Sequence, residues 1–196
     1  ETVALGVQHV SAYHLTVEPQ TAFGRRMAQG RFSPVTEETS EEEFLTVHDT
    51  LTAAGFEHYE VSNYALPGFR ARHNASYWHG TKYLGIGPAA HSFDGEERHW
   101  NASSVEKYIA GAPAGKEVLT LRDRFNEYVM TALRTVEGID LEEAAARFGA
   151  KRLARMQEEA APFLRSGTLR IVRGRMALPP EKFLISDAVI GALFET

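Results

Sequence analysis

The hydrophobic pattern in the first third of the chain alternates between the composition typical of strands and the spacing typical of a helix. Residues 7–17 are rich in β-branched and aromatic side chains and predict a strand. Residues 40–54 place apolar side chains at helical spacing, and Ser40 and Glu43 form a capping box that predicts where this helix begins. The run FEHYEVS at 56–62 predicts a second strand. A strand, a long crossover with a helix and another strand are typical of a parallel βαβ unit.

The next segment follows neither period. Residues 63–82 predict a long loop, and YLGIG at 83–87 predicts a short third strand. Long loops inside a compact domain are often functional. This loop leaves the carboxyl end of the second predicted strand, where ligands gather in parallel sheets and barrels.

Helical periodicity dominates after residue 103. A short helix is followed by a predicted linker at 111–117 and then by three helices, the second of which begins at Asp140. A hairpin that turns at Arg173-Gly174 and a closing helix complete the pattern. Three helices, a hairpin and a helix predict a winged-helix-like module.

Composition narrows the function classes. The chain has 196 residues, 43% hydrophobic and 24% charged, with a net charge of −5. This acidic balance gives no field that would attract nucleic acid or anionic membrane. We find no membrane-spanning run and no signal-peptide pattern, so a cytoplasmic protein is predicted. The absence of cysteine excludes disulfides and thiolate-bound metal within this chain.

The strongest candidate site lies in the predicted loop. Imidazole can ligate heme iron, and Tyr and Trp offer flat apolar faces, so His73, Asn74, Tyr77 and Trp78 could hold a planar aromatic ligand such as a porphyrin. The alternative is structural: turns at Asn74 and Ser76, Trp78 in the core, and His73 bonded to a carbonyl. The spacing matches no tight zinc motif.

Two weaker signals also have two explanations each. Gly85 and Gly87 would let backbone amides approach a cofactor or would simply form a tight turn. Seven basic residues between Lys151 and Arg175 would suit DNA binding by a winged helix, or would form a solvated face.

Several strings together resemble one known family. HVSAYHLTVEPQTAF, GFEHYEVSNYALPG, RHNASYWHGTKYLGIGPAAHSF and the closing GTLRIVRGRMAL and LISDAVIGALF follow one another as in oxygen-independent coproporphyrinogen III oxidase-like radical S-adenosylmethionine (SAM) proteins. The string HNASYW resembles the heme-chaperone branch more than the oxidases.

The resemblance implies an α/β fold: the C-terminal part of a radical SAM partial (β/α) barrel over residues 1–110, then a small winged-helix-like α+β domain over 118–196. It implies heme binding by His73, Asn74, Tyr77 and Trp78, and SAM contacts by Gln8 and Val10. An acidic residue is usual in relatives where Gln8 stands.

The family's 4Fe-4S cysteines and SAM glycines lie upstream of the part that this chain resembles. We therefore expect a fragment of a longer protein that is inactive alone. A truncated barrel would expose the edge of the strand at 7–17, which predicts self-association.

The leading hypothesis is a heme chaperone that transfers heme to accepting proteins. The alternatives are oxidative decarboxylation of coproporphyrinogen III and, in another class, a winged-helix DNA-binding regulator. The sequence leaves open whether His73, His79 or His91 would ligate iron.

Overall fold

The computed structural model describes residues 1–78, 80–113 and 115–196. Its compact parts are two units: residues 1–71 with 180–185 form unit 1, and residues 72–179 with 186–196 form unit 2. The division into domains 1–110 and 118–196 stays a prediction.

Unit 1 combines a small sheet with two α-helices. Its elements in chain order are a 3-10 helix (Thr2–Leu5), β1 (His9–Ser11), α1 (Ala22–Ala28), α2 (Glu37–Ala53), β2 (Glu57–Glu60), β3 (Asn63–Ala65) and a second 3-10 helix (Pro180–Ile185).

The sheet of unit 1 has the order β1-β3-β2, and both of its pairings are antiparallel. Strands β1 and β2 therefore run in the same direction, as the βαβ pattern predicts, but they do not pair with each other. Residues 63–65, predicted as loop, turn back from β2 and pair with both strands. Alternation could not reveal β3 because all three of its residues are buried.

One face of this sheet packs on α2. Leu51, Phe56 and Tyr64 form a buried cluster, against which the partly buried Val10 and Val47 pack. Helix α2 begins earlier than predicted, because the Thr36 side chain caps it by accepting from the Thr39 amide. The capping box at Ser40 and Glu43 was therefore a wrong prediction.

A buried histidine completes this core. His58 is 3% exposed and stacks on Tyr64 with ring centroids 4.0 Å apart. Its Nδ1 atom lies 2.9 Å from Nδ1 of His48, and the edge of its ring meets Phe183. Burial lowers the pKa of His58 to about 4, so its imidazole is neutral at neutral pH.

Unit 2 holds two further sheets and six α-helices among its described residues. In chain order they are α3 (Arg72–Trp78), β4 (His91–Phe93), β5 (Glu97–Trp100), α4 (Val105–Ile109), β6 (Gly115–Val118), α5 (Leu121–Leu133), β7 (Ile139–Asp140), α6 (Leu141–Phe148), α7 (Ala150–Arg165), β8 (Arg170–Val172), β9 (Arg175–Ala177) and α8 (Ser186–Leu193).

The structure of residues 72–118 differs from three of the predictions. Residues 72–78 form the helix α3 inside the predicted loop. The predicted strand at 83–87 is reduced to one bridge, between Tyr83 and Phe93. The predicted linker at 111–117 ends in β6, which pairs with β5 in a β4-β5-β6 sheet. These strands have only three or four residues, too few for a clear alternation.

The rest of unit 2 has the predicted winged-helix order. Helices α5 and α6 contact a sheet of order β7-β9-β8, α7 packs on α6, and Asp140 caps α6. The β8–β9 hairpin turns at Arg173-Gly174, where both residues have positive φ, 52° and 76°. The predicted closing helix is divided: residues 180–185 pack in unit 1, and α8 returns to α5 and α7.

A membrane span is also absent from the described helices, since none has enough consecutive apolar residues to cross a bilayer.

Candidate functional site

Helix α3 presents His73 and Tyr77 one turn apart on an exposed surface. The Tyr77 hydroxyl lies 3.3 Å from Nε2 of His73, and the two rings meet edge to face at 5.2 Å. Both side chains are exposed, Tyr77 to 41%. The backbone carbonyl of His73 accepts from the Ser76 hydroxyl. The His73 imidazole itself is thus available to a ligand that can displace one weak hydrogen bond.

Asn74 and Trp78 occupy less exposed positions on the same helix. The indole Nε1–H of Trp78 is shielded from solvent and has no hydrogen-bond partner among the described residues. The guanidinium of Arg134 lies 5.6 Å from the centre of the indole ring. Trp78 therefore has both a packing role and an unused donor.

A cavity of about 430 Å³ opens beside α3. Tyr77 and Trp78 line it together with Tyr83, Phe93 and Tyr128. Tyr77 and Tyr83 contact edge to face at 5.1 Å, and Tyr83 meets Phe93 at 6.2 Å. These rings give the cavity the flat apolar walls that suit an aromatic ligand.

Tyr128 acts as a structural member of this wall. Its hydroxyl accepts from the Asp140 amide at 3.1 Å and donates to the Asp140 carbonyl at 3.2 Å. Burial raises the pKa of Tyr128 to about 12, so the phenol stays neutral.

Four arginines line the same cavity, and three are bound by acidic side chains. Arg98 pairs with Glu127 at 2.8 Å, and Arg147 pairs with Glu143 at 2.7 Å. Arg175 pairs with Asp140 at 2.8 Å. The fourth, Arg124, has no acidic partner among the described residues, and its Nε–H is shielded without an acceptor.

Sequence reasoning considered Arg175 only for DNA binding and missed the other three arginines, although α5 carries a signal for Arg124. Its apolar positions, Phe125, Val129, Ala132 and Leu133, are buried. Arg124, Glu127, Tyr128 and Thr131 recur on a different face at i, i+3, i+4 and i+7, and all four line the cavity.

Unit 1 carries a second polar cluster on the sheet face opposite α2. His9 and Tyr59 share a hydrogen bond of 2.8 Å, and the Ser11 hydroxyl donates to Asn63 at 2.6 Å. Asn63 also donates to the buried carboxylate of Glu60. Alternation along β1 places His9 and Ser11 on this face.

The predicted SAM residues lie around β1 in the same unit. The side chain of Gln8 is exposed, and its backbone carbonyl accepts from Leu66 at 3.0 Å. The side chain of Val10 packs in the hydrophobic cluster with α2. The polar side chains of β1, His9 and Ser11, lie on the opposite face.

The sequence also left His79 and His91 as candidate iron ligands. His91 is exposed on β4, and its ring lies 6.0 Å from that of Trp100. His79 lies outside the described residues. Gly85 packs so closely against the His91 backbone that a Cβ would overlap it, which favours the tight-turn explanation of this glycine.

A group of Asp94, Glu97 and His99 at the β4–β5 turn has its potential ligand atoms within 4.8 Å of one another. The Asp94 carboxylate accepts from the backbone amides of Glu97 and Glu96, which lowers its pKa. Glu97 pairs with Lys116 at 3.5 Å. These contacts give the group a structural role in the hairpin.

Several arginines of the basic span considered for DNA binding already bind groups within unit 2. Arg152 pairs with Glu195 at 2.7 Å, and Arg155 donates to the Phe194 carbonyl. Arg175 also donates to the carbonyls of Glu137 and Gly138. The comparisons below lend the DNA-binding alternative no support.

Comparisons with known proteins identify the family. Residues 119–184 match the family model described as the HemN C-terminal domain. "Heme chaperone HemW" of Mycobacterium tuberculosis is 37% identical over 97% of this chain and 48% of its own length. "Heme chaperone HemW" of Lactococcus lactis is 33% identical over 74% of this chain and 39% of its own length. The chain thus spans about half the length, or less, of these relatives.

The fold class is confirmed by a solved structure of coproporphyrinogen III oxidase (HemN) from Escherichia coli, described as a radical SAM enzyme. The TM-score is 0.73 over 98% of this chain and 49% of that chain, with 15% sequence identity. The chain belongs to the oxygen-independent coproporphyrinogen III oxidase-like radical SAM family, with relatives in its heme-chaperone branch.

Proposed function

We propose that unit 2 binds heme, as part of a heme chaperone, with the His73 imidazole as a ligand of the iron. One observation carries the proposal: His73 is exposed on α3, and its neighbour Tyr77 lines an aromatic cavity. Imidazole is a common axial ligand of heme iron. The names of the relatives, which are heme chaperones, point to the same cargo.

The other three candidate residues have supporting roles in this proposal. Tyr77 and Trp78 pack their rings against the macrocycle, which is planar and apolar. Asn74, one position after His73, offers an amide that can hydrogen-bond to the ligand or fix its orientation.

A titration with ferric heme tests the proposal. The chain should shift the Soret band of heme, and His73→Ala should abolish the shift or move it to the position of a different ligation state. His91→Ala is the matched control, because His91 is also exposed in unit 2, and it should leave the band unchanged. An unchanged band and affinity in His73→Ala would exclude His73 as the iron ligand.

We prefer chaperone function to oxidation of coproporphyrinogen III because of the relatives. The named chaperones share 33–37% identity with this chain, whereas the oxidase shares 15% and supports the fold alone. Anaerobic turnover by the full-length protein separates the two, since an oxidase forms protoporphyrinogen IX and a chaperone does not.

The two cofactors of the family, a 4Fe-4S cluster and SAM, differ in how well the residues of this chain suit them. The residues present do not fit a 4Fe-4S cluster of the cysteine-ligated kind, because the chain contains no cysteine. We infer that any cluster in the whole protein is held elsewhere. SAM binding by Gln8 and Val10 remains a proposal: the exposed amide of Gln8 suits a ribose hydroxyl, while the Val10 side chain is already packed.

The remaining partners are proposals of the same kind. Transfer of heme to accepting proteins and a cytoplasmic location follow from the chaperone hypothesis. Self-association is supported by the position of β1 at the edge of its sheet, where a strand of a second copy could pair with it. Light scattering across a range of protein concentrations would test it.

A further inference from the structure

We propose that Arg124 binds a carboxylate side chain of the porphyrin, so that the cavity recognises the acidic edge of heme as well as its ring. This inference rests on the proposed function and deepens it. It assigns a chemical class to the ligand: an aromatic macrocycle with free carboxylates.

The first argument is the charge balance of the cavity. Arg98, Arg147 and Arg175 each have a carboxylate within 2.8 Å. Among the described lining residues, Arg124 is the arginine without such a partner. A ligand carboxylate would therefore find one guanidinium that no side chain of the described chain already neutralises.

The second argument is the state of two N–H donors. Nε of Arg124 and Nε1 of Trp78 are both shielded from solvent, and both lack an acceptor among the described residues. Both residues line the same cavity. Because both atoms are shielded in the unliganded chain, a ligand oxygen reaches them only after a movement of the neighbouring side chains, and the cost of leaving buried donors without partners favours that movement.

The third argument is position along the helices. Arg124 lies on α5, one turn before Tyr128, and α5 contacts α3. The helix that carries the proposed iron ligand thus packs on the helix that carries Arg124. The aromatic rings suit the apolar macrocycle, and Arg124 suits its charged substituent.

Comparison of ferric heme with its dimethyl ester tests the inference, because esterification removes both carboxylates and keeps the ring and iron. Wild-type protein should bind ferric heme about tenfold more tightly than the ester, as expected for a charge-assisted hydrogen bond. Arg124→Gln should weaken heme binding by about tenfold and leave binding of the ester unchanged. Arg124→Lys should retain part of the preference, because it keeps the charge and loses the planar fork.

Arg122→Gln is the matched control, since Arg122 lies on the same helix and is more than half exposed. It should leave both affinities unchanged. Equal affinity of wild-type protein for heme and ester would overturn the inference, whether or not the variants fold. Equal weakening of both ligands by Arg124→Gln would also overturn it, since that pattern indicates a structural role.

The two proposals can fail separately. If wild-type protein binds heme with a Soret shift that depends on His73 but does not prefer it to the ester, only the role of Arg124 is wrong. If wild-type protein binds neither porphyrin, both proposals are wrong.

Discussion

The Tyr77 hydroxyl lies 3.3 Å from Nε2 of His73. If His73 binds iron through this nitrogen, the hydroxyl occupies the position that the metal needs. The hydroxyl would then compete with the metal, and the contact must break on binding. We expect Tyr77→Phe to keep the ring, remove the competitor and strengthen ferric heme binding by about threefold.

Absorbance titration measures this change, with Tyr83→Phe as a control that alters another tyrosine of the cavity. A tenfold loss of affinity in Tyr77→Phe would contradict the prediction and would mean that the hydroxyl contacts the ligand.

His58 should make unit 1 less stable in acid. Its pKa falls from 6.5 to about 4 on folding, so the unfolded chain binds more protons between these pH values. Its contribution to stability is therefore present above pH 6.5 and is lost as the pH falls towards 4, by about 3 kcal/mol in total. Urea unfolding at several pH values, followed by a probe in unit 1, measures the slope.

His58→Phe should flatten that slope, because it removes the titrating group and keeps a ring against Tyr64. His14→Phe changes an exposed histidine of the same unit and should keep the slope. A slope in His58→Phe equal to that of wild-type protein would refute the assignment.

Gly138 should tolerate a side chain poorly. Its φ of 63° already favours glycine, and an added Cβ would overlap the Met176 carbonyl and Ala177. We expect Gly138→Ala to lower the free energy of unfolding by about 2–4 kcal/mol, from backbone strain plus overpacking. Gly167→Ala is the matched control, because its φ is 76° and no atom lies within 4 Å of its Cβ position. Thermal unfolding that shows equal losses would assign the whole cost to φ.

Asp140 combines two functions that a pair of substitutions can separate. Its Oδ1 accepts from the amides of Glu142 and Glu143, and its Oδ2 accepts from Arg175. Asp140→Asn keeps the N-cap and removes the charge, so we expect a loss below about 1 kcal/mol. Asp140→Ala removes both and should cost about 2 kcal/mol. A chemical denaturation experiment in which Asp140→Asn is less stable than Asp140→Ala would contradict this assignment.

The sequence predicts the long or well-capped elements of the fold and fails on the short ones. Asp140 caps helix α6 and the hairpin turns at Arg173-Gly174, as predicted, because both signals are local. Strand β3 was missed because all three residues of Asn63–Ala65 are buried, which gives no alternating pattern. Long-range pairing decides such a segment.

The candidate site divides in the same way. His73 and Tyr77 could be found in the sequence because their residue types and spacing already suggest a ligand. Arg124 could be placed on the polar face of α5 but not assigned to a ligand, because arginine on a helix is usually solvated. Its significance depends on which neighbouring arginines have acidic partners, and only the folded chain supplies that information.

The return of residues 180–185 to unit 1 sets an order on folding during synthesis. Phe183 packs against His58, yet the ribosome makes it only after most of unit 2. The first segment of unit 1 must therefore wait, with part of its core open, while the intervening chain emerges. A released chain that ends at residue 179 should therefore bind more of a holdase chaperone than a released chain that ends at residue 185.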